Sequence, residues 1–208
     1  MSEPAPTVIE VFADVSCPFT HLGLRRFVAR RAALGRDDVV LHVRAWPLEV
    51  VNGTPLDPAF IAEEVDDIRR QVAPEAFVGF DAGHFPATSM PALALAAAAY
   101  ALDSPTGEAV SLALRHLLFE QGVDIADLNA LTRLGAAHGV TTDLADVGSV
   151  LAEHTEGVAR GVIGSPHFFT PAGGFFCPAL DVHREEGGHL RITADPEGFD
   201  RFVDTCLA

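Results

Sequence analysis

Cys17 is the residue with the strongest indication of chemistry in this sequence, because it lies between an apolar strand and the start of a helix. The segment Thr7–Ala13 is rich in β-branched and apolar residues, which predicts a strand, and Pro18 suits the first turn of a helix, where no N–H donor is needed. Unpaired N–H groups and the helix dipole stabilise a thiolate at such a position and lower a thiol pKa from about 8.5 to roughly 3.5–7.5. We therefore predict an accessible, low-pKa nucleophile at Cys17, with a small buried structural cysteine as the alternative.

A second segment, Gly161–Phe169, resembles the cis-proline loop of the thioredoxin superfamily, in which an X-Pro bond held cis presents its backbone to the nucleophilic sulfur. With Cys17-Pro18 upstream and a long helical stretch between, nearly the whole chain resembles the DsbA-like branch. Within that branch it resembles the cytosolic group of FrnE-type dithiol oxidoreductases, 2-hydroxychromene-2-carboxylate isomerases and kappa-class glutathione transferases. The resemblance implies an α/β, thioredoxin-like fold with a large α-helical insertion, and a cis Ser165–Pro166 bond that faces Cys17. Spacing alone would make that bond trans, since only about 5–6% of X-Pro bonds are cis.

One departure from the family pattern concerns the start of this helix. FrnE-type and DsbA proteins carry Cys-X-X-Cys, whereas this chain reads Cys17-Pro18-Phe19-Thr20, so the resolving cysteine is missing. The isomerases and kappa transferases have Ser where this chain keeps Cys17, and they activate the thiol of glutathione. The Thr20 hydroxyl can donate a hydrogen bond to a Cys17 thiolate, which favours the charged form, but it cannot attack a mixed disulfide.

Three functions are open at this point. We favour a monothiol thiol–disulfide oxidoreductase, in which Cys17 forms a mixed disulfide that an external thiol resolves. The second is an isomerase or transferase of the kappa group that uses a glutathione-like thiol cofactor, and the third is a non-catalytic peptide-binding protein with a thioredoxin-like fold. The resemblance assigns the site residues as catalytic Cys17, Thr20 and Pro166, and substrate-binding Pro18, Phe19, His21, Ser165 and His167.

The resemblance implies small thiols or disulfide-containing substrates as partners, and the composition disfavours nucleic acid and membranes. The 208 residues, 49% of them hydrophobic, can bury a sizeable core. The 14 basic and 29 acidic residues give a net charge of −15, which repels phosphate backbones and anionic lipid surfaces. No metal site and no tightly bound cofactor are expected, while a low-molecular-weight thiol would act as co-substrate. A homodimer is left open.

The sequence predicts a cytoplasmic location. Residues 1–6 show no signal-peptide pattern, and no apolar run reaches the roughly 18 residues that span a bilayer. The three cysteines form neither a disulfide framework nor the ligand spacing of a zinc site. A lone thiol in that compartment stays reduced until it meets an oxidant or a disulfide.

The elements that must position the site follow from the hydrophobic periodicity. A helix over 18–33 and a strand over 39–46 complete a βαβ unit with the first strand. Residues 57–158 have a helical pattern throughout, with four or five helices. We therefore predict a helical insertion domain over 57–158 and a thioredoxin-like domain formed by 1–56 and 159–208.

The C-terminal part is predicted to return to the sheet as a β-hairpin, followed by a helix over 196–206. Pairing of Phe169 with Phe176 across the hairpin would bring Cys177 near the cis-proline loop, whereas Cys206 is predicted to be a bystander. For His21 and His167, ordinary packed or exposed side chains are the alternatives to a site role. Core packing is favoured over a groove-lining role for four aromatic residues: Trp46, Phe77, Phe80 and Phe85.

Overall fold

The chain folds around a four-stranded mixed sheet whose strands come from its two ends, with a series of helices inserted between them. The computed structural model describes residues 7–170, 173–185 and 189–207. Within these ranges the elements in chain order are β1 (Thr7–Ala13), α1 (Pro18–Ala33), β2 (Val39–Ala45), α2 (Leu48–Asn52), α3 (Pro58–Gln71), a 3-10 turn (Ala82–His84), α4 (Met90–Leu102), α5 (Ser104–Gln121), α6 (Leu128–Ala137), α7 (Gly148–Ala159), β3 (His167–Thr170), β4 (Gly173–Phe176), β5 (Leu180–Arg184), β6 (Leu190–Ala194) and α8 (Pro196–Leu207).

The main sheet has the strand order β2-β1-β3-β4. Strands β1 and β2 are parallel and are connected by α1, which is the predicted βαβ unit, and the other two pairs are antiparallel. Strands β5 and β6 form a separate antiparallel ribbon that we did not predict from the sequence. Apolar and polar residues alternate in both of these strands, and this period-two pattern is the signal that could have predicted them.

Successive β1 side chains point to opposite faces of the sheet, and each face has its own helical cover. On one face Ile9 and Val11 pack with Phe27 of α1 and Phe202 of α8. On the other face Phe12 packs with Trp46 and Val162 beneath α7. Gly157 lets α7 approach closely, because a Cβ atom there would lie 2.8 Å from the Trp46 ring. Trp46 is therefore a core residue, as the sequence analysis favoured.

The outer edge of β2 is closed by side chains of the inserted helices. The Leu41 N–H donates to Glu108 Oε2 at 2.5 Å, and Tyr100 Oη donates to the Leu41 carbonyl oxygen at 3.0 Å. Arg31 of α1 binds both carboxylate oxygens of Glu108. Since an unpaired strand edge invites pairing with another chain, these contacts satisfy and protect it.

Five α-helices, α3 to α7, lie between residues 57 and 158, in agreement with the predicted number. Phe77 and Phe85 belong to the core of this helical segment, and Phe80 packs against it. Helix α7 begins at Gly148. The Asp143 and Asp146 side chains each accept a hydrogen bond from the backbone N–H two residues further along the chain. These local turns occupy the segment before the helix.

The hairpin of β3 and β4 forms in a register that differs from the prediction. His167 pairs with Phe176 and Phe168 with Phe175, so the predicted pairing of Phe169 with Phe176 is wrong. In the observed register the Phe168 and Phe175 rings both pack against Phe202 in the core. The predicted register differs from the observed one by two residues, which would leave both rings on the same face but no longer opposite each other, so their shared packing on Phe202 favours the observed pairing. The predicted turn residues 171–172 lie outside the described residues.

Residues 1–6, on which the prediction of no signal peptide depends, also lie outside the described residues. Among the helices that the structure describes, none combines the length and the apolar composition needed to cross a bilayer.

Candidate functional site

Cys17 is the N-cap residue of α1 and faces the loop that precedes β3. Its backbone is extended, with φ −82° and ψ 117°, and its carbonyl oxygen accepts the first helical hydrogen bond, from His21 N–H at 3.1 Å. The Ser165–Pro166 peptide bond is cis, in agreement with the geometry that the resemblance implies. The Cys17 thiol donates to the Ser165 carbonyl oxygen across a distance of 3.3 Å. The sulfur and the backbone before the cis proline therefore lie in direct contact.

Two hydroxyl groups are aligned with the sulfur. The Asp14 N–H donates to Ser165 Oγ at 3.0 Å, and Ser165 Oγ lies 2.8 Å from Thr20 Oγ1. Hydrogen bonds from the Thr20 N–H and from these hydroxyls favour the charged form of the Cys17 sulfur. Since one of the two hydroxyls donates to the other, only one of them has a proton left for the sulfur. A thiolate in this place has donors arranged around it before any substrate arrives.

The prediction of an accessible, low-pKa thiol at Cys17 is wrong for this structure. The residue is only 3% exposed. Burial raises the pKa of the Cys17 thiol, and although the hydrogen bonds from Thr20 and Ser165 act in the opposite direction, they do not offset the loss of solvent. The negative charge of Glu64 on α3 raises the pKa further. In the resting structure Cys17 is a protonated, covered thiol whose ionisation depends on its immediate neighbours.

Asp14 holds the segment between β1 and α1 in place. Its Oδ1 accepts hydrogen bonds from the Ser16 N–H at 2.8 Å and the Ser16 hydroxyl at 2.7 Å. Its Oδ2 accepts from the Leu48 N–H at 2.6 Å and the Ser89 hydroxyl at 3.1 Å. This buried carboxylate ties the Cys17 loop to α2 and to the start of α4. The sequence analysis did not single out Asp14, although a polar residue at the end of an apolar strand was the available signal.

His21 lies on the first turn of α1, but its ring contacts the inserted helices. Its Nε2 is 2.8 Å from Glu120 Oε1, and the ring packs on Phe77 and Phe119 at centroid distances of 5.2 and 5.0 Å. The side chain is 3% exposed. These contacts place His21 in the interface between α1 and the helical segment, and its role in substrate binding stays a prediction.

Glu120 makes this interface sensitive to acid. Burial opposes its ionisation, but hydrogen bonds from His21 and from the N–H groups of Phe77 and Val78 outweigh burial and lower the pKa to about 2 from its ordinary 4.5. A carboxyl group with a depressed pKa stabilises the fold above its ordinary pKa, and that stability is lost as the pH falls from 4.5 through 2. The contribution is about 2–3 kcal/mol.

We expect Glu120→Gln, which keeps the side-chain shape, to destabilise the protein most at pH 7 and progressively less as the pH falls from 5 to 2. Urea unfolding of both proteins at pH 7, 5, 3 and 2 measures this difference. A difference in unfolding free energy that stayed constant over this range would show that the carboxylate charge contributes nothing.

His167 follows Pro166 but points away from it. Pro166 and Phe168 line a small apolar space with Phe19, whereas His167, between them in the strand, has its ring stacked on Phe169 at 4.9 Å. Its Nδ1 accepts a hydrogen bond from the Ile163 N–H at 3.3 Å. Burial lowers the pKa of His167, so the ring is a neutral packing group. Strand alternation places the His167 ring on the other face from Pro166 and Phe168, and its contact with substrate stays a prediction.

A cavity of about 400 Å³ opens beside the Ser165 backbone. Phe19, Phe176 and Leu180 give it an apolar lining, and Asp181 contributes a carboxylate at its rim. Phe19 thus lies where the sequence analysis placed a substrate contact, whereas Pro18 is buried in the first helical turn. The β5 residues of this wall were missed because the β5–β6 ribbon was not predicted.

Cys177 borders the same cavity, and its N–H donates to the Pro166 carbonyl oxygen at 3.1 Å. Burial, and to a smaller extent a charge on Cys17, raise the pKa of Cys177 to about 12. The structure contains both cysteines as free thiols, and Cys206 on α8 is a third, whose pKa burial raises to about 12. Within the described ranges, no three His, Cys, Asp or Glu side chains are arranged to hold a metal ion.

Comparison with known proteins supports the fold. No protein-family model matches the sequence, and no curated protein is significantly similar to it. Among solved structures, the cytosolic disulfide reductase DsbM from Pseudomonas aeruginosa is similar over 95% of this chain and 97% of its own, with a TM-score of 0.60 and 16% identity. A putative protein disulfide isomerase from Nitrosomonas europaea is similar over 96% and 97%, with a TM-score of 0.62 and 16% identity.

Two other solved structures extend this comparison. A probable DsbA oxidoreductase from Streptomyces coelicolor is 22% identical over 81% of this chain and 82% of its own, with a TM-score of 0.58. A 2-hydroxychromene-2-carboxylate isomerase is 16% identical over 82% and 88%, with a TM-score of 0.54. The chain therefore has an α/β, thioredoxin-like fold with a helical insertion, the architecture of the DsbA-like branch.

Proposed function

We propose that this thioredoxin-like chain is a thiol–disulfide oxidoreductase that works with one cysteine in the first helical turn, Cys17. The observation that carries the proposal is the contact of Cys17 Sγ with the Ser165 carbonyl oxygen, at the N-terminus of α1 and directly before the cis proline. An extended substrate backbone placed along this edge would bring a disulfide sulfur next to Cys17. The apolar cavity lined by Phe19 and Phe176 gives that substrate a surface to bind.

The reaction consists of two thiol–disulfide exchanges. In the first, the Cys17 thiol releases its proton to solvent and the thiolate attacks one sulfur of a disulfide; the S–S bond breaks, a mixed disulfide forms on Cys17, and the other sulfur leaves as a thiolate that takes up a proton. In the second, an external thiolate attacks the mixed disulfide and restores Cys17. Thr20 cannot perform the second step, because a hydroxyl does not attack disulfides under these conditions.

The roles of the neighbouring residues follow from their contacts with the sulfur. The Thr20 N–H and one of the Thr20 and Ser165 hydroxyls donate hydrogen bonds to the thiolate, which lowers the free energy of the attacking and leaving forms of Cys17. Pro166 and Ser165 present the backbone to the substrate, and Phe19 supplies an apolar wall, while Pro18 begins the helix. A small thiol as co-substrate is supported by the solved complex of Pseudomonas aeruginosa DsbM with GSH, which is similar to this chain at a TM-score of 0.58.

The remaining parts of the proposal concern the organisation of the protein and its surroundings. The residues of 57–158 form a domain inserted into a thioredoxin-like domain made of 1–56 and 159–208, and the largest apolar cluster is built mainly from the inserted segment. Two observations support a cytoplasmic location. The similar protein DsbM is a cytosolic disulfide reductase, and the cysteines of this chain are free thiols. A homodimer stays a prediction, to be checked by the mass of the protein in solution.

The direct test is reaction of the purified protein with glutathione disulfide. We expect one glutathione to become attached to Cys17, located by peptide mass spectrometry, and to be released by added glutathione. Because burial keeps Cys17 protonated, the attachment is expected to be faster at pH 9 than at pH 7. Cys17→Ser is expected to abolish it, and Cys206→Ser, which removes another buried thiol, is the matched control. Attachment that persisted in Cys17→Ser would contradict the proposal.

A second candidate function is favoured by the burial of Cys17. A covered, protonated thiol with hydroxyl donors beside it could hold the thiol of a bound glutathione-like cofactor, as in an isomerase or transferase, without reacting itself. The two functions differ in their dependence on the sulfur. The test is conjugation of glutathione to 1-chloro-2,4-dinitrobenzene by the wild-type protein and by the Cys17→Ser variant. If both catalyse it equally well, the cofactor-dependent function replaces the redox function.

A further inference from the structure

Arg115 of α5 is buried beneath the segment that carries Cys17. The residue is 2% exposed. Its Nη2 donates to the Asp14 carbonyl oxygen at 3.1 Å, and its Nη1 donates to the carbonyl oxygen and the hydroxyl of Ser111 at 2.9 and 2.7 Å. Its Nε has no hydrogen-bond partner. All three of its acceptors are neutral groups, and none of the ion pairs between described residues includes Arg115.

A buried cation whose hydrogen-bond acceptors are all neutral lowers the stability of the folded state. Removing an ion from water is unfavourable unless charge and hydrogen bonds in the interior compensate it, and a well-packed apolar side chain is often more stable in the same place. Burial lowers the pKa of Arg115 only to about 10, so the guanidinium stays charged at neutral pH. The interior next to the Asp14–Cys17 segment therefore holds a permanent positive charge with an unused donor.

We infer that Arg115 is a positioning residue for the thiol chemistry of Cys17, and that its guanidinium holds the Asp14 backbone while supplying the countercharge to the Cys17 thiolate. This inference rests on the proposed function only in assuming that the thiolate is the reacting form. The hydrogen bond to Asp14 fixes the guanidinium at the strand end, three residues before the sulfur. An ionised Cys17 would favour the charged form of Arg115, although less than the Asp14 carboxylate does. A favourable interaction between two charges acts on both of them, so the cation would favour the thiolate in turn.

Arg115 acts against other charges that face the sulfur. Glu64 on α3 opposes ionisation of Cys17, and burial raises the pKa of Glu64 to about 7, so its opposition grows as the pH rises through neutrality. Cys177 opposes ionisation only when it is itself charged, far above neutral pH. Asp14 on the same segment attracts Arg115. Among these groups Arg115 is the one permanent cation, which makes its removal the most informative change.

The test measures the pKa of Cys17 from its rate of alkylation by iodoacetamide between pH 6 and 10.5, with the modified peptide identified by mass spectrometry. Arg115→Met removes the charge, and the wild-type protein is the reference. We expect the Cys17 pKa to be higher in Arg115→Met than in the wild-type protein by about one unit, that is a tenfold lower alkylation rate at a given pH below the pKa. Equal pKa values in the two proteins would overturn the inference.

Loss of the buried arginine could prevent folding, so a pair of variants leaves Arg115 in place. Ser111→Asp puts a carboxylate against Nη1 and neutralises the guanidinium, whereas Ser111→Asn has nearly the same shape without the charge. We expect a raised Cys17 pKa in the Asp variant relative to the Asn variant, and equal values would overturn the inference. Alkylation does not require disulfide exchange: a pKa shift in a protein that fails to react with glutathione disulfide would support the role of Arg115 while contradicting the proposed function.

Discussion

Thr20→Cys is expected to convert the protein from a slow monothiol enzyme into a rapid dithiol oxidoreductase. The substitution places a second thiol one helical turn from Cys17, where Thr20 Oγ1 contacts the Ser165 side chain and Cys17 Sγ contacts the Ser165 carbonyl oxygen. The new thiolate can then attack the mixed disulfide within the molecule. Since an intramolecular nucleophile acts at an effective concentration far above that of millimolar free thiols, release of the bound thiol should accelerate by on the order of 100-fold or more.

Two measurements follow this change. The rate of release of glutathione from the mixed disulfide on Cys17 is measured with no added thiol, where the wild-type protein should hold it and Thr20→Cys should lose it. Oxidation of a dithiol peptide by the oxidised protein measures turnover, which should be slow in the wild type. Thr20→Ser, which keeps the hydroxyl, and Thr20→Val, which keeps the shape, are the matched controls, and neither should gain activity.

Cys177 is the residue that could overturn this expectation. It borders the cavity beside Ser165. We expect Cys177→Ser to change little, because burial keeps the Cys177 thiol protonated with a pKa of about 12 and only thiolates attack disulfides. Rapid turnover of the wild-type protein that disappeared in Cys177→Ser would show that the chain supplies its own resolving cysteine, and the monothiol proposal would be abandoned.

Asp14→Ala is expected to lower the free energy of unfolding by about 3–5 kcal/mol, a large part of the roughly 5–15 kcal/mol that stabilises a typical domain. The carboxylate accepts four hydrogen bonds, from Ser16, Leu48 and Ser89, in a position that is 1% exposed. Alanine would leave these donors without their acceptor in the interior, where each unsatisfied group is costly. Because three separate segments meet at this carboxylate, nothing else in the chain can reach all of them.

Urea unfolding of the wild-type and Asp14→Ala proteins measures this loss. Asp66→Ala, on the exposed side of α3, is the control and should change stability by less than about 0.5 kcal/mol. Since Asp14 also anchors the segment that precedes Cys17, the folded fraction of Asp14→Ala should react faster with iodoacetamide at Cys17 than the wild-type protein does. A loss below about 1 kcal/mol would mean that water replaces the carboxylate and that Asp14 is not a structural anchor.

The sequence by itself determined the elements whose signals are local. The strand before Cys17 and the helix from Pro18 to Ala33 follow from β-branched residues, proline at the first turn and 3.6-residue periodicity, all of which act within one element. The missing second thiol at Thr20 is equally plain in the sequence. The resemblance carried by Cys17-Pro18 and Ser165-Pro166 further implied the thioredoxin-like fold, because those residues mark the two segments that meet in it.

Only the tertiary structure decided the environment of the sulfur. A helix N-terminus lowers a thiol pKa through nearby N–H groups, but burial against the Ser165 backbone acts in the opposite direction and is larger here, and burial depends on residues about 150 positions away. The same holds for His21, whose partner Glu120 lies 99 residues along the chain, and for Arg115, which reaches Asp14 across 101 residues. The local sequence determines which side chains each segment carries. Packing between segments that are distant in the sequence determines which charges and hydrogen-bond partners surround those side chains.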